Sequence, residues 1–325
     1  MRTQTIALIT TGGTISCNDT GGGAVPRLRG DDLLASLRGA ADLPAVEVVE
    51  LASIPGCEMT PAKMAELATV VRRELTPADR VGAVVTHGTD TIEESAFLCH
   101  LTVPGDKAVV FTGSMRTASE LSWDGPRNLL DALRVAAAPA TRGLGTLLVM
   151  NEEIHSARFV TKSNGLVLGA FQSPGTGPLG RIYNGSPMLL AQPALSRRVL
   201  EPRLDDAVAM VRALSGDGAS LDEALARPNL RGLVVEGFGS GRVPGAWCAA
   251  LGAAVDRGLT VVLASRTGSG AIGDPYGYPG SATGLLHRGL IAAHALPGHQ
   301  ARLKLMLALG NGLTGAALRA YFENE

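Results

Sequence analysis

Ile6-Ala7-Leu8-Ile9-Thr10-Thr11-Gly12-Gly13-Thr14-Ile15-Ser16 is the stretch whose reading decides the fold. Four consecutive apolar residues without polar alternation suit a buried strand, and the paired glycines then turn the chain sharply. Gly12 and Gly13 have no Cβ atoms. They let a ligand or another loop approach the main chain, and they leave N–H groups free to face an anion or oxyanion. Hydroxyls from Thr10, Thr11 and Thr14 flank them. Beyond the carboxyl end of a central strand is where an open α/β sheet binds its ligand. A glycine turn with threonine capping the next element accounts for the same residues without chemistry, so the rest of the chain has to decide.

The same pattern recurs outward from this stretch. Val81-Gly82-Ala83-Val84-Val85 reads as a second buried strand that delivers Thr86-His87-Gly88-Thr89-Asp90-Thr91 into a turn. The spacing of Thr91 and Glu94 predicts a capping box and a helix start there. Further strands are expected at Val46–Val49, Ala108–Thr112, Gly145–Met150 and Arg158–Lys162. Helices are expected from an Asp31 cap to Leu37, from Thr60-Pro61 to Leu75, and from Asp124-Gly125-Pro126 to about Ala138. Strands alternating with helices at this interval indicate a doubly wound, mostly parallel sheet. Asn18 to Gly23 is too polar and glycine-rich to pack, and reads as a mobile loop that is either a lid over Thr14 or inert surface. Gly, Pro, Asn and Ser loosen the pattern from Gly175 to Arg198. This places an N-terminal α/β domain at 1–185, a linker at 186–205 and a smaller α/β domain at 206–325. The second domain is expected to hold a strand near 206–214, the capping box Ser220–Glu223, and a strand at Leu233–Val235. A helix at Trp247–Asp256, a strand at 259–264 and an amphipathic helix near Gln300–Leu309 complete it.

Composition excludes several classes of function. Twenty-nine basic and thirty acidic residues leave no surplus for nucleic acid or an anionic membrane, and aromatics at 4% offer little for base stacking. A small polar or zwitterionic partner fits better. The cysteines Cys17, Cys57, Cys99 and Cys248 are dispersed, without a C-x-x-C pair or zinc spacing, and are expected to be free thiols. Cys57 reads as a buried, inert thiol, and no histidine shows metal-ligand spacing. The run from Met1 into the first strand contains no secretory h-region, and no apolar run reaches membrane-spanning length. A soluble, cytoplasmic protein without a metal site is expected.

Three pieces of the first domain are expected at one edge of its sheet: Thr14, Thr89-Asp90 and Lys162. A threonine hydroxyl is a poor nucleophile unless a base activates it, and lysine serves as that base in its neutral form. Thr89, Lys162 and Asp90 supply a hydroxyl, a base and an orienting carboxylate; Asp90 alternatively holds a substrate ammonium. Backbone N–H groups around Gly12-Gly13 and Gly88-Thr89 are placed to receive a developing oxyanion. His87 reads as a packing or hydrogen-bonding residue, and Met59, Met64 and Trp123 as core.

TTGGTIS at Thr14, VVTHGTDT at Thr89-Asp90, SWDGPRNL at Ser122–Leu129, FVTKSN at Lys162 and GPLGRIYNG together resemble the bacterial-type L-asparaginase family over nearly the whole chain. The resemblance implies a flavodoxin-like N-terminal domain and a smaller C-terminal one, assembled as a homotetramer of two intimate dimers. It implies cofactor-free hydrolysis of L-asparagine to L-aspartate and ammonia, in asparagine catabolism. By position, Thr14 matches the family's nucleophile, which forms a β-acyl-enzyme, while Thr89, Asp90 and Lys162 match its second catalytic set. Gly13, Gly56, Cys57, Gly88, Thr89, Asp90 and Ser114 match the surroundings of the substrate. Glutamine as preferred substrate, or an asparagine-sensing protein on the same scaffold, are the alternatives.

The sequence departs from the family at three places. No tyrosine precedes Tyr183, so the lid lacks its usual phenol, with Ala24 or a neighbour in its place. Gly56, beside Cys57, stands where the family has a serine for the α-carboxylate; Gly56 N–H or nearby Ser53 is left to bind it. In the second domain Ser240 and Arg242 follow a glycine turn, and Gly277 replaces an acidic residue between Tyr276 and Tyr278. Ser240, Tyr276 and Tyr278 are thus candidates to reach a partner subunit's site, one tyrosine replacing the missing lid phenol.

Overall fold

The computed structural model describes residues 4–38, 42–193 and 198–323. Met1 to Thr3, expected to run into the first strand, and Arg197, in the expected linker, lie outside the described residues. The chain divides into two compact units, 1–195 and 196–325.

In the first unit, chain order runs β1 (Thr5–Gly12), β2 (Cys17–Asp19), β3 (Ala24–Pro26), α1 (Gly30–Ala35), β4 (Ala45–Ile54), α2 (Pro61–Glu74), β5 (Arg80–Thr86) and α3 (Ile92–Thr102). It continues with β6 (Ala108–Thr112), α4 (Gly125–Ala137), β7 (Thr146–Met150), β8 (Glu153–Ser156), β9 (Thr161–Lys162), β10 (Phe171–Gln172), β11 (Gly180–Tyr183) and β12 (Ser186–Leu189). Eight of these strands form one sheet in the order β12-β11-β8-β7-β6-β5-β1-β4. β4, β1, β5, β6 and β7 are parallel, and β8, β11 and β12 extend the sheet antiparallel. The parallel part has the flavodoxin-like order, in which strand order reverses between β1 and β5.

Alternation along the buried strands explains the two layers of helix. Ala7 and Ile9 of β1 face a core with Leu67 and Val71 of α2 and Ala96 and Cys99 of α3. Ile6 and Leu8 point the other way, to Leu33 of α1 and to Leu129, Ala132, Leu133 and Ala136 of α4. An apolar run without alternation is therefore what a strand needs when helices cover both its faces.

Several local expectations are corrected. Asn18–Gly23 is not an unstructured loop: β2 and β3 pair antiparallel from Cys17↔Pro26 to Asp19↔Ala24, leaving only the tip open. Strands this short, with mostly polar or exposed residues, carry almost no hydrophobic period. Residues 186–189, expected in the linker, form the edge strand β12 paired to β11. The strand expected from Arg158 shrinks to Thr161–Lys162, and it leaves the large sheet to pair with Phe171–Gln172. Helix α1 is capped from within: Asp32 accepts the Arg29 N–H at 2.9 Å, where Asp31 had been expected to cap.

In the second unit, β13 (Val208–Arg212), α5 (Ser220–Leu225), β14 (Gly232–Gly237), α6 (Trp247–Asp256), β15 (Thr260–Ser265), α7 (Ala282–His287), β16 (Ile291–Pro297), α8 (Gly298–Gly310) and α9 (Gly315–Glu323) follow one another. The four strands form a parallel sheet in chain order. Asp217, rather than the predicted box, starts α5, accepting the N–H groups of Ala219 and Ser220 at 3.1 and 3.0 Å. Helix α8 is buried on nearly all sides instead of amphipathic: it packs across the four-stranded sheet, and α9, absent from the sequence reading, sets Tyr321 and Phe322 against Lys304 on α8. No helix among the described residues is long and apolar enough to cross a membrane.

Candidate active site

The turns after β1 and β5 meet at the switch point through glycine. A methyl group on Gly13 would stand 2.4 Å from Gly88 Cα, and one on Gly88 would stand 2.4 Å from Gly56 Cα. Real Cβ atoms do not approach backbone so closely, so the three loops touch main chain to main chain and Gly13 and Gly88 require glycine, while a methyl group on Gly56 would stand 3.0 Å from the Gly88 backbone, a tight but milder approach. Gly13 has φ 79°, a further demand that β-carbon-bearing residues resist. Thr14 and Thr89 each follow one of the touching glycines, which brings the two hydroxyl-bearing turns together.

Hydrogen bonds fix these loops. The Gly13 N–H donates to the Ile54 carbonyl at 2.9 Å. Thr91 was expected to close a capping box with Glu94; its hydroxyl instead donates to the Gly56 carbonyl at 2.7 Å, strapping the third loop to the start of α3. His87 is fully buried, with Nδ1 2.8 Å from the Gly88 carbonyl and Nε2 2.8 Å from Ser95 Oγ. A carbonyl only accepts, so Nδ1 carries the proton and Nε2 accepts from the serine. Burial lowers the His87 pKa to about 4, which keeps the ring neutral.

Lys162 closes the arrangement from β9. Its Nζ lies 2.9 Å from Thr89 Oγ1 and 2.8 Å from Asp90 Oδ1. The lysine side chain is only 16% exposed and that of Asp90 58%, so the carboxylate presents its outer oxygen to the solvent while the ammonium group is turned inward. The three residues reach one another although Lys162 stands outside the large sheet, where a place at its edge had been expected.

The SWDGPRNL motif is scaffolding. Asp124 accepts the N–H groups of Met115 and Arg116 at 3.0 and 2.9 Å. Asn128 donates to the Gly113 carbonyl at 3.0 Å and accepts from the Asn151 N–H at 3.0 Å. Ser114, at the end of β6, is buried and spends its hydroxyl on the Arg116 carbonyl at 2.6 Å. Near Thr14, the β2–β3 hairpin is tied down by Ser119, which receives the Asp19 N–H at 2.8 Å and donates to Asn18.

Comparison with known proteins follows from this geometry. The sequence pattern described as Asparaginase, N-terminal matches residues 5–195, and the Glutaminase/Asparaginase C-terminal domain matches residues 207–322. The chain belongs to the asparaginase family. Among the relatives of this asparaginase-family chain, a "Probable L-asparaginase" of Deinococcus radiodurans is 38% identical over 98% of this chain and 96% of its own length. "L-asparaginase 2" of Bacillus subtilis is 32% identical over 98% of this chain and 86% of its own. The crystal structure of a "Probable Cytoplasmic L-asparaginase" from Campylobacter jejuni superposes with a TM-score of 0.86 at 29% identity, covering 99% of this chain and all of that one.

Within the asparaginase-family chain not every expected residue behaves alike. Cys57 is exposed rather than buried, because Gly56, not the thiol, makes the inward contact. Ser53 makes only a 3.4 Å contact to the Pro26 carbonyl. Ser240, Tyr276 and Tyr278 lie in the second unit, where the two tyrosine rings stack with centroids 5.2 Å apart and the Arg242 guanidinium lies over Tyr276 at 5.5 Å. Two residues were not assigned to the site by the sequence. Glu93 was seen only as part of a helix-start pattern, yet its carboxylate accepts the Lys162 backbone N–H at 2.6 Å. Thr91 was assigned to the wrong partner; a threonine directly after a catalytic-type carboxylate was the signal available. Among the described residues no group of His, Cys, Asp and Glu could hold a metal ion.

Proposed function

We propose that this protein hydrolyses the side-chain amide of L-asparagine to L-aspartate and ammonia. The observation that carries the reading is the Lys162 Nζ held 2.9 Å from Thr89 Oγ1 and 2.8 Å from Asp90, next to the contact between the Thr14 and Thr89 turns. Asp90 offers an exposed carboxylate to the substrate's α-ammonium. Thr14 Oγ attacks the amide carbon, and backbone N–H groups of the glycine turns stabilise the oxyanion. Collapse breaks the C–N bond while the proton given up by the Thr14 hydroxyl passes to the nitrogen, so ammonia leaves and a β-acyl ester remains on Thr14. Thr89 and Lys162 then relay the proton of the attacking water, which releases aspartate and restores the hydroxyl.

The relatives described as L-asparaginases support asparagine over other amides. Glutamine differs by one methylene, which a pocket discriminates by about 1–3 kcal/mol, so some glutaminase activity accompanies the main one. The working form proposed is a tetramer built from two intimate dimers in the cytoplasm, with Ser240, Tyr276 and Tyr278 contributed to the partner's site. Either tyrosine would supply the phenol that the β2–β3 hairpin lacks.

Ammonia release from asparagine and glutamine tests the proposal. Wild type should prefer asparagine, and Thr14→Ala and Thr89→Val should each fall by about a thousandfold or more. Tyr276→Phe or Tyr278→Phe should slow turnover; unchanged rates in both would remove the phenols from the mechanism. A wild-type protein that releases ammonia from neither amide would end the hydrolase reading.

A further inference from the structure

The Lys162 side chain reaches the site from a strand of two residues, Thr161–Lys162, whose ladder partners among the described residues are Phe171 and Gln172. Such a fragment is a weak platform. The large sheet that aligns Thr14 and Thr89 does not include it. A lysine side chain also has four rotatable bonds, so the place of its ammonium depends on where its own Cα is held. Glu93 meets this need. It stands in the first turn of α3, three residues beyond Asp90, and its Oε2 accepts the backbone N–H of Lys162 at 2.6 Å.

The result is a closed ring of contacts. From Thr89 and Asp90 the chain passes through one turn to Glu93, across to the Lys162 main chain, along the lysine side chain, and back to Thr89 Oγ1 and Asp90 Oδ1. Each end of Lys162 is thus tied to the same helix start. A hydrogen bond to an ionised acceptor is shorter and stronger than a neutral one, which suits the 2.6 Å separation.

We propose that Glu93 is a positioning residue for the proposed hydrolysis: it sets the distance between Lys162 Nζ and Thr89 Oγ1 by anchoring the Lys162 backbone. The inference rests on the reading of this site as an amidase. It touches no reacting atom, so its removal should act on turnover and leave the substrate's grip on Asp90 and the glycine turns in place.

Steady-state kinetics on full-length protein with asparagine test it. Glu93→Ala, and Glu93→Ser, which suits a helix's first turn but cannot reach Lys162, should each lower kcat about 10- to 100-fold with KM changed less than about threefold. Glu93→Gln keeps an acceptor oxygen at the same reach and should retain kcat within about threefold. All three variants lose the same charge at the start of α3, so a mere helix-dipole role would lower their melting temperatures together and would not separate glutamine from alanine and serine. Active wild type with undiminished Ala and Ser variants would overturn the positioning role while leaving the hydrolase reading intact. Equal kcat losses in the Gln, Ala and Ser variants, or losses that fall on KM, would overturn it too. Inactive wild type would bring down the hydrolase reading and this inference with it.

Discussion

Two glycine-rich stretches lie close together in the chain and do opposite things. At Gly13 and at Gly88, which it meets, a methyl group would run into backbone at 2.4 Å, and at Gly56 it would stand 3.0 Å from Gly88. At Gly21, Gly22 and Gly23, on the tip of the β2–β3 hairpin, a methyl group would meet nothing within 4 Å. In the first case glycine is demanded by packing, since three turns touch main chain to main chain at the switch point of the sheet. In the second it answers only to local backbone shape, with Gly21 and Gly23 at φ 104° and 98° and Asp19 accepting both their N–H groups. Those N–H groups, Gly21 first, hold the Asp19 carboxyl below its ordinary range. Glycine content alone therefore does not mark a site; what approaches the glycine does.

The comparison breaks most visibly at Gly88. Gly88→Ala should cost about 3 kcal/mol or more of stability and lower turnover about 100-fold, because its Cβ meets the Gly56 backbone and the Thr89 hydroxyl must shift. Urea unfolding and ammonia release measure both; wild-type values would show slack where the geometry shows none.

A smaller effect comes from His87, which braces the Gly88 turn. Its folded pKa of about 4 lies below the unfolded 6.5, so the folded protein resists taking up that proton. Stability from this group is fully present above pH 6.5 and is lost as pH falls toward 4, by roughly 3 kcal/mol over the window. In His87→Gln the urea midpoint should lose that part of its pH dependence between these limits. An unaltered profile would mean that the ring charges freely in the folded state.

The smallest effect belongs to the hairpin tip. Gly22 needs no left-handed backbone and faces open space. Gly22→Ala should raise stability by about 0.5 kcal/mol, by restricting the unfolded chain, and leave turnover within about twofold. A clear loss of turnover at unchanged stability would sharpen the contrast differently, by showing that the tip's freedom is used during each cycle.

Much of this was legible in the residues. The apolar runs at Ile6–Ile9, Val81–Val85 and Ala108–Thr112 announce buried parallel strands, and Thr60-Pro61 announces α2, whose cap forms through the Thr60 hydroxyl. Thr89, Asp90 and Lys162 could be gathered as a chemical set before any distance was available. The errors share a cause. Thr91 has the spacing of a capping box, but the Gly56 carbonyl, brought near by packing, is its actual partner. Cys57 looked buried beside a presumed pocket, but only its glycine neighbour turns inward. The β9–β10 pair and the β2–β3 hairpin are too short to show a period, and α8 was misread because what packs around it, the sheet and α9, could not be seen from α8 alone.

The sequence by itself determined the long buried strands, most of the helices and the residue types available for chemistry, because side-chain period and turn propensity act between neighbours in the chain. Only the tertiary structure decided that Gly13, Gly56 and Gly88 touch, that Lys162 reaches Thr89 across 73 residues, and that Glu93 holds the lysine's backbone. Those contacts follow from the order in which strands lie in the sheet and from which loops meet at its edge, and no local property of the chain encodes either.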